Sequence, residues 1–537
     1  MTLKAALLAT AALLGAMAAA RADDDRRAAT PRHVLLLSVD GMHEADLRLW
    51  VQKHPAGALA ALSKRGATYS RAYTTAPSDS FPGMIAQVTG GTPKSAGVYY
   101  DDSFDPTFFA PAGQNPSFAS SATNPGCHGT PGAETTYAEN IDKNLDTFTA
   151  GGTLGQPLTQ IDPKNLPQDS ACKPVYPHQF IRVNTLFEVL HAHGRRTAWS
   201  DKHPAYEILS GPSGAGIDDL YTPEINAQAT DISFKNILPA GNDFTKGFYA
   251  VRYYDNIKVG AVLSQIQGFD STHTSSPGTP AIYGMNFQSV SVGQKLLTSA
   301  DTTGVDAGLV GGYTDANATP GNALTAQLQF IDDSVGKMVA ELTKTGQYDD
   351  TVVIISAKHG QSPIDPKALV KLPDAYGAVL AKDAYAFNIA DDASLIWLDP
   401  AKRTPALYAK ALADLQANKA ALGIDRIITR EELAEIYRDP FKNSRTPDFF
   451  VVSNHGVVYT GSKTKIAEHG GVSDDDRHVA LLVSAAGLRG KTVGQTVFTT
   501  QIAPTILSAL RISPEELQAV RQEGTEILPG LGRDEDR

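Results

Sequence analysis

The apolar and polar positions alternate between short, wholly apolar runs and longer segments of helical period. His33 to Val39 (HVLLLSV) is apolar at nearly every position, as in a strand buried on both faces, and stops at Asp40-Gly41. Asn184 to His193 has Leu186, Phe187, Val189 and Leu190 at helical spacing, ends at Gly194 and leads into a short strand at Arg196 to Trp199. Leu324, Leu328, Ile331, Val335, Met338 and Leu342 form the clearest helical stripe. The run Thr351 to Ser356 follows and halts at Lys358-His359-Gly360. His478 to Ser484 (HVALLVS) predicts another buried strand, and Thr499 to Leu510 a closing helix. Helices alternating with apolar strands specify an α/β fold: a central, mostly parallel sheet with helices on both faces. Such sheets bind ligands beyond the carboxyl ends of their strands. Asp40, His359 and the triplet Asp201-Lys202-His203 all fall at such ends.

Two stretches interrupt the alternation. Residues 104–177 are rich in Pro, Gly, Asn, Ser and Thr and contain both cysteines, Cys127 and Cys172. Residues 365–454 carry their own helical segments (Pro405 to Ala420, Glu431 to Tyr437) and a strand (Phe449 to Ser453), which predicts a cap-like insertion. At the start, one lysine precedes an Ala/Leu-rich core, and Ala20-Arg21-Ala22 offers a small-x-small cleavage pattern before an acidic run. Residues 1–22 thus read as a signal peptide, and residues 23–537 as one exported catalytic domain, periplasmic or extracellular. No later stretch is long and apolar enough to span a bilayer. In an oxidising compartment Cys127 and Cys172 are expected to pair, with two buried free thiols as the alternative. The chain has 537 residues and a net charge of -11, which speaks against a nucleic-acid-binding surface but leaves room for a small phosphorylated substrate.

Four segments carry candidate chemistry. Asp40 in SVDG sits where a carboxylate would ligate a hard metal or cap the next loop. In TAPSDSFPGMIAQVTGG, Ser80 precedes Phe81-Pro82 at a helix start, where its hydroxyl would cap the helix or attack an anion held by the free amides. His359 ends the strand Thr351 to Ser356. Glu468-His469-Gly470-Gly471 precedes the last buried strand.

In this order, VDG, SFPGMIAQVTGG, TVVIISAKHG and EHGG resemble the alkaline phosphatase superfamily, and within it the type I phosphodiesterase/nucleotide pyrophosphatase family, over about Arg32 to Leu510. The resemblance implies an alkaline-phosphatase-like sandwich and a divalent, zinc-type site. Asp40, Ser80 and His359 would hold one ion, and His469 would be a ligand of a second. Ser80 would be the nucleophile of a phosphoric-ester hydrolase acting through a covalent intermediate. Two positions depart from the pattern. The family's Asp before the His is Lys358, which as an ammonium cannot ligate a metal. The family's Asp and His four residues apart fall, by ungapped counting, on Gly311 and Asp315. Lys358 would then supply fixed positive charge to the phosphoryl group. Alternatively, Asp306, Asp315 or Asp474 to Asp476 would complete a metal site, or the protein would bind a phosphate-like ligand without turnover. Phosphomonoester, sulfate or phosphonate hydrolysis are neighbouring expectations. Tyr100, Asp101, Lys202 and His203 are candidate substrate contacts, and Met285 to Gln288 reads as a segment flanking the core.

Overall fold

The computed structural model describes residues 31–111, 127, 129, 131–136, 141–228, 238–239, 241–300, 306–380 and 384–531. The expected signal peptide, residues 1–22, lies outside the described residues.

Eight strands form the central sheet: β1 (His33–Val39), β2 (Gly66–Tyr69), β3 (Ala198–Ser200), β4 (Asp219–Tyr221), β5 (Ile282–Phe287), β6 (Thr351–Ser356), and, beyond a four-stranded excursion, β11 (Leu482–Ser484) and β12 (Lys491–Val493). Their spatial order is β12-β2-β11-β6-β1-β5-β3-β4. Only β11 runs antiparallel to its neighbours β2 and β6; the remaining pairs are parallel. The fold is the expected α/β architecture around a mostly parallel sheet. Successive side chains of a strand point to opposite faces, and β1 shows the result. Val34 and Leu36 pack with helices α1 (Ser80–Thr89), α2 (Leu186–Ala192) and α5 (Ile502–Ala509). Leu35, Leu37 and Val39 pack with α3 (Phe248–Ile266) and α4 (Asn322–Lys344) on the other side. Both faces are covered, so the strand is apolar at nearly every position. The stripe of α4 is the face that packs there, as its period predicts.

Two central elements differ from the sequence expectation. Met285 to Gln288 is not a flanking segment: β5 lies beside β1 in the middle of the sheet, with Leu36 opposite Gly284. Its apolar run is broken by Gly284 and Asn286; the glycine is required by close backbone approach, and the main chain of Asn286 takes up a buried ammonium. A Cβ on Gly284 would stand 1.8 Å from the Leu36 carbonyl oxygen. The Asn286 carbonyl accepts from the buried Lys258 ammonium at 2.5 Å. Helix α3 was not read from the pattern because it buries residues on more than one side, including the Asp255–Lys258 ion pair at 3.2 Å.

The excursion between β6 and β11 contains an antiparallel sheet of β7 (Tyr385–Ala390), β8 (Ala393–Leu398), β9 (Ile424–Ile428) and β10 (Phe449–Ser453), in the order β7-β8-β10-β9. One face packs on the helix Pro405–Ala417 through Ala411 and Leu415. The other presents Leu395, Trp397 and Phe450 to Tyr99, Tyr100 and Phe104, which follow α1. The sheet is thereby seated on the segment leading away from Ser80. Cys127 and Cys172 are joined by a disulfide. Among the described residues, no helix is long and apolar enough to cross a membrane.

A side chain at residue 284 must push β1 and β5 apart at the sheet centre. Gly284→Val is expected to destabilise the protein by about 3 kcal/mol or more, read from the shift of the urea unfolding midpoint.

Candidate active site

Helix α1 begins at Ser80, and its cap is the preceding residue. The Asp79 carboxylate accepts the amides of Phe81 at 3.1 Å and Asp101 at 2.8 Å. With the cap supplied by Asp79, the Ser80 hydroxyl is free for other partners. It meets Nε2 of His359 at 3.2 Å and Nζ of Lys202 at 3.1 Å. The approach of α1 to the end of β6 requires Gly83, where a Cβ would lie 2.1 Å from the Lys358 carbonyl oxygen. Thr74 Oγ1 donates to that same carbonyl at 2.6 Å and fixes the turn carrying Lys358 and His359. His359 Nδ1 donates to the Gly360 carbonyl at 2.8 Å, so its Nε2 lone pair faces Ser80, which donates.

Asp40 ends β1 beneath this group. Its Oδ2 accepts from the Gln288 side-chain amide and lies 3.8 Å from His359 Nε2 and 3.7 Å from Lys202 Nζ. Its Oδ1 has no hydrogen-bond partner and lies 3.9 Å from Lys358 Nζ. Lys358 Nζ in turn pairs with Asp201 Oδ1 at 3.0 Å and stands 4.0 Å over the Tyr206 ring. Asp201 also accepts from the Trp199 indole at 2.8 Å. Charges therefore alternate through the site: Lys202, Asp40, Lys358, Asp201.

His469 packs against His359 with ring centroids 3.9 Å apart and the ring planes tilted by 38°. Its Nδ1 and Asp79 Oδ2 are 3.6 Å apart, and neither has a hydrogen-bond partner. Asp391, at the turn between β7 and β8, and Glu468 bring ligand atoms that lie, with one of His469, within 4.8 Å of one another. Tyr100 Oη donates to Asp391 at 2.7 Å, and Lys295 and Lys465 both pair with Glu468.

Burial alone would raise the Asp40 pKa, but Lys358, His359 and Lys202 outweigh it and hold the carboxylate at about 2. Burial pushes His359 down to about 3 against the pull of Asp40, and carries His469 well below the usual imidazole value with help from His359 and Lys295. Both rings are neutral and present lone pairs. Burial also raises Asp79 to about 7 in spite of its amide donors. It works against both lysines: Asp40, Asp101 and Asp201 overcome it at Lys202 and raise that pKa, whereas at Lys358 burial prevails over Asp201 and Asp40 and lowers it.

Asp40, Ser80, Lys202, Lys358, His359 and His469 are thus brought together from five segments. Tyr100 reaches the group through Asp391, and Asp101 through its backbone amide on Asp79. Other candidates are elsewhere. Asp315 is not beside Asp40: it lies in an exposed turn and accepts the Asn317 amide at 2.8 Å. Gly311 backs onto the Leu296 carbonyl. His203 turns to Glu224, at 2.8 Å. Asp306 pairs with Arg252, Asp475 with His455, and Asp476 caps the short helix after Ser473. Ungapped counting missed the strand end that matters. Gln288, directly after β5, is the residue that faces Asp40, and four residues on Val292 packs with Phe248 and Val251. An amide and an isopropyl group hold the spacing at which the resemblance expects a carboxylate and an imidazole. The rule that flagged Asp40, a polar residue ending a buried strand, would have found Gln288 had β5 been recognised.

These donors bear on the expected ions. Beside Ser80, three ligand-type atoms converge, but the Lys202 ammonium stands in front of two of them and the Gln288 amide occupies Asp40 Oδ2. A dication ligated there would have to share that space with a fixed positive charge, and the residues do not fit it. The Asp391–Glu468–His469 cluster also carries ammonium groups, Lys295 and Lys465 on Glu468, but its ligand atoms converge and the unpartnered His469 Nδ1 and Asp79 Oδ2 adjoin it, so it fits a dication better.

The Lys358–Asp201 pair is wholly buried, and removing one partner strands the other charge. Asp201→Ala is expected to cost about 3–5 kcal/mol of stability. Lys358→Met in that background should restore part of the loss, as a double-mutant cycle by urea denaturation would measure.

No curated protein is matched by this sequence at a significant level. Solved structures share the fold at low identity. Murine ectonucleotide pyrophosphatase/phosphodiesterase 5 is 12% identical with a TM-score of 0.54, over 90% of this chain and 96% of that one. The same murine protein, in an inactive form in complex with AMP, gives a TM-score of 0.55 at 12% identity, over 90% and 96% of the two chains. The alkaline phosphatase PafA is 14% identical with a TM-score of 0.56, over 90% and 96%. Residues 34–222 and 284–475 match the family described as type I phosphodiesterase/nucleotide pyrophosphatase, a span that takes in Asp40, Ser80, Lys202, Gln288, Lys358, His359, Asp391 and His469. With well over half of its length matched, the chain belongs to the type I phosphodiesterase/nucleotide pyrophosphatase family.

Proposed function

We propose that this protein is an exported hydrolase of small phosphoric esters, of the phosphodiesterase or nucleotide pyrophosphatase kind, which transfers the phosphoryl or nucleotidyl group to Ser80. One observation carries the reading. The Ser80 hydroxyl, at the first position of α1, is held between a neutral imidazole acceptor at 3.2 Å and an ammonium donor at 3.1 Å. A capping serine would need neither. Export is supported by the N-terminal sequence and the Cys127–Cys172 disulfide. A small phosphorylated substrate is supported by family membership and by the AMP held by the murine relative.

The chemistry follows from the geometry. Ser80 Oγ attacks phosphorus while its proton passes to His359 Nε2. The new O–P bond forms as the P–O bond to the leaving group breaks; the departing oxygen takes the electron pair and a proton from bulk water, and His359 releases the Ser80 proton to water. The amides at the start of α1 and the helix dipole favour the anion at this point, and Lys202 places positive charge on the reacting oxygens. Asp40, 3.8 Å from Nε2, offsets part of the cost that burial sets on the imidazolium as it forms. In the second half a water attacks phosphorus and gives its proton to His359. The bond to Ser80 breaks, and its oxygen takes the electron pair and that proton back from His359 Nε2, 3.2 Å away. A divalent ion, zinc by the resemblance, would be held by Asp391, Glu468 and His469 and would add charge toward a phosphoryl oxygen.

Ser80→Ala should lower turnover of p-nitrophenyl phosphate and bis-p-nitrophenyl phosphate by roughly 10³-fold or more, and acid-quenched wild-type enzyme should carry a phosphoryl adduct on Ser80 by peptide mass spectrometry. Unchanged turnover in the variant would remove Ser80 from the mechanism. Binding of phosphate-like ligands without turnover of either ester would identify a non-catalytic protein. His469→Ala should reduce the zinc retained after dialysis, measured by elemental analysis; undiminished zinc would place any ion elsewhere.

A further inference from the structure

We infer that Lys202 takes the place of a metal ion beside Ser80, so that this half of the phosphoryl site is built from side-chain charge alone. The inference rests on the reading of Ser80 as the phosphoryl-accepting residue, and deepens it.

Asp40 Oδ2, Ser80 Oγ and His359 Nε2 are the three atoms that would ligate an ion at this position. A ligated ion would lie about 2.0–2.2 Å from each. The Lys202 ammonium already stands 3.1 Å from Ser80 Oγ and 3.7 Å from Asp40 Oδ2. It reaches there from a fixed backbone: the Lys202 amide donates to Asp201 Oδ1 at 2.9 Å, and its carbonyl accepts from Ile225 at 3.0 Å. The other side of Asp40 faces Lys358, 3.9 Å from Oδ1. The carboxylate that would attract a dication is thus countered twice, by ammonium groups from β6 and from the loop after β3. Gln288 adds a neutral amide where a further carboxylate would have strengthened the case for an ion.

The two lysines are not equivalent. The Lys358 side chain is 0% exposed and is engaged by Asp201, whereas that of Lys202 is 13% exposed. Lys202 is therefore the one that an incoming oxyanion reaches, and it has three N–H donors to divide between Ser80, Asp40 and the ligand. Lys358 acts through Asp40, as a positioning residue that keeps the carboxylate from drawing the Lys202 ammonium away from Ser80.

Inorganic phosphate is the probe, and calorimetry on the full chain the measurement, with and without an excess of chelator. Wild-type protein should bind phosphate in both conditions. Lys202→Met should weaken binding at least tenfold, by the same factor with chelator as without, while Lys202→Arg should retain most of the affinity. Circular dichroism melts identify any variant that fails to fold, and Lys202→Gln then replaces it. Phosphate binding that vanishes with chelator and returns with zinc in a His469→Ala protein as well as in the wild type would overturn the inference, as would wild-type affinity in a folded Lys202→Met protein. Ester turnover measured on the same samples separates the two readings. Lys202-dependent phosphate binding without turnover sinks the hydrolase reading alone. Turnover that tracks zinc, with phosphate binding independent of Lys202, sinks only the substitution of metal by lysine.

Discussion

The Asp40 carboxylate is buried at the end of the central strand, and everything around it is arranged to answer its charge. Burying an ionised carboxylate without partners is among the costliest events in a protein interior. Here the answer comes from three neighbours in the sheet. β6 contributes Lys358 and His359, the loop after β3 contributes Lys202, and the end of β5 contributes Gln288. Because these groups arrive from adjacent parallel strands, their positions follow from strand register, and the sheet itself assembles the site. Helix α1 completes it by bringing Ser80 over the same point, through a glycine contact that a larger residue would block.

That arrangement explains how one site can be built on cations of different kinds. An anionic phosphoryl group needs compensating positive charge near its oxygens, whether from a metal or from ammonium groups. Among the described residues, four lysines surround the site: Lys202 and Lys358 on the Asp40 side, and Lys295 and Lys465 on the Glu468 side. The two sides meet at the contacting rings of His359 and His469. The four-stranded excursion matters to the second side, because its β7–β8 turn delivers Asp391 to Tyr100 and the His469 cluster.

What the sequence disclosed follows the same physics. β1 and β6 are readable because both faces are buried and each holds an unbroken apolar run, Val34 to Leu37 and Val352 to Ile355, and the stripe of α4 because its apolar residues share one face. β5 and α3 are not, since each contains polar or glycine positions whose reasons are tertiary: Gly284 against the Leu36 carbonyl, and Lys258 between Asp255 and Asn286. In the site, residues that end recognisable strands or sit in a distinctive motif, Asp40, Ser80, His359 and His469, could be singled out. Lys202 was flagged by its strand end alone, without its contact to Ser80. Gln288 went unnoticed because its strand did. Asp315 was proposed from a residue count that takes no account of loop geometry, and its side chain turns out to serve a surface turn.

The most direct test of this account is a crystal of the full chain grown with zinc and soaked with vanadate, with anomalous data collected across the zinc edge. The account predicts vanadate bonded to Ser80 Oγ, with the Lys202 ammonium within hydrogen-bond distance and no zinc peak ligated by Asp40, Ser80 and His359. A zinc ion at that position, with Lys202 turned away from it, would contradict the account.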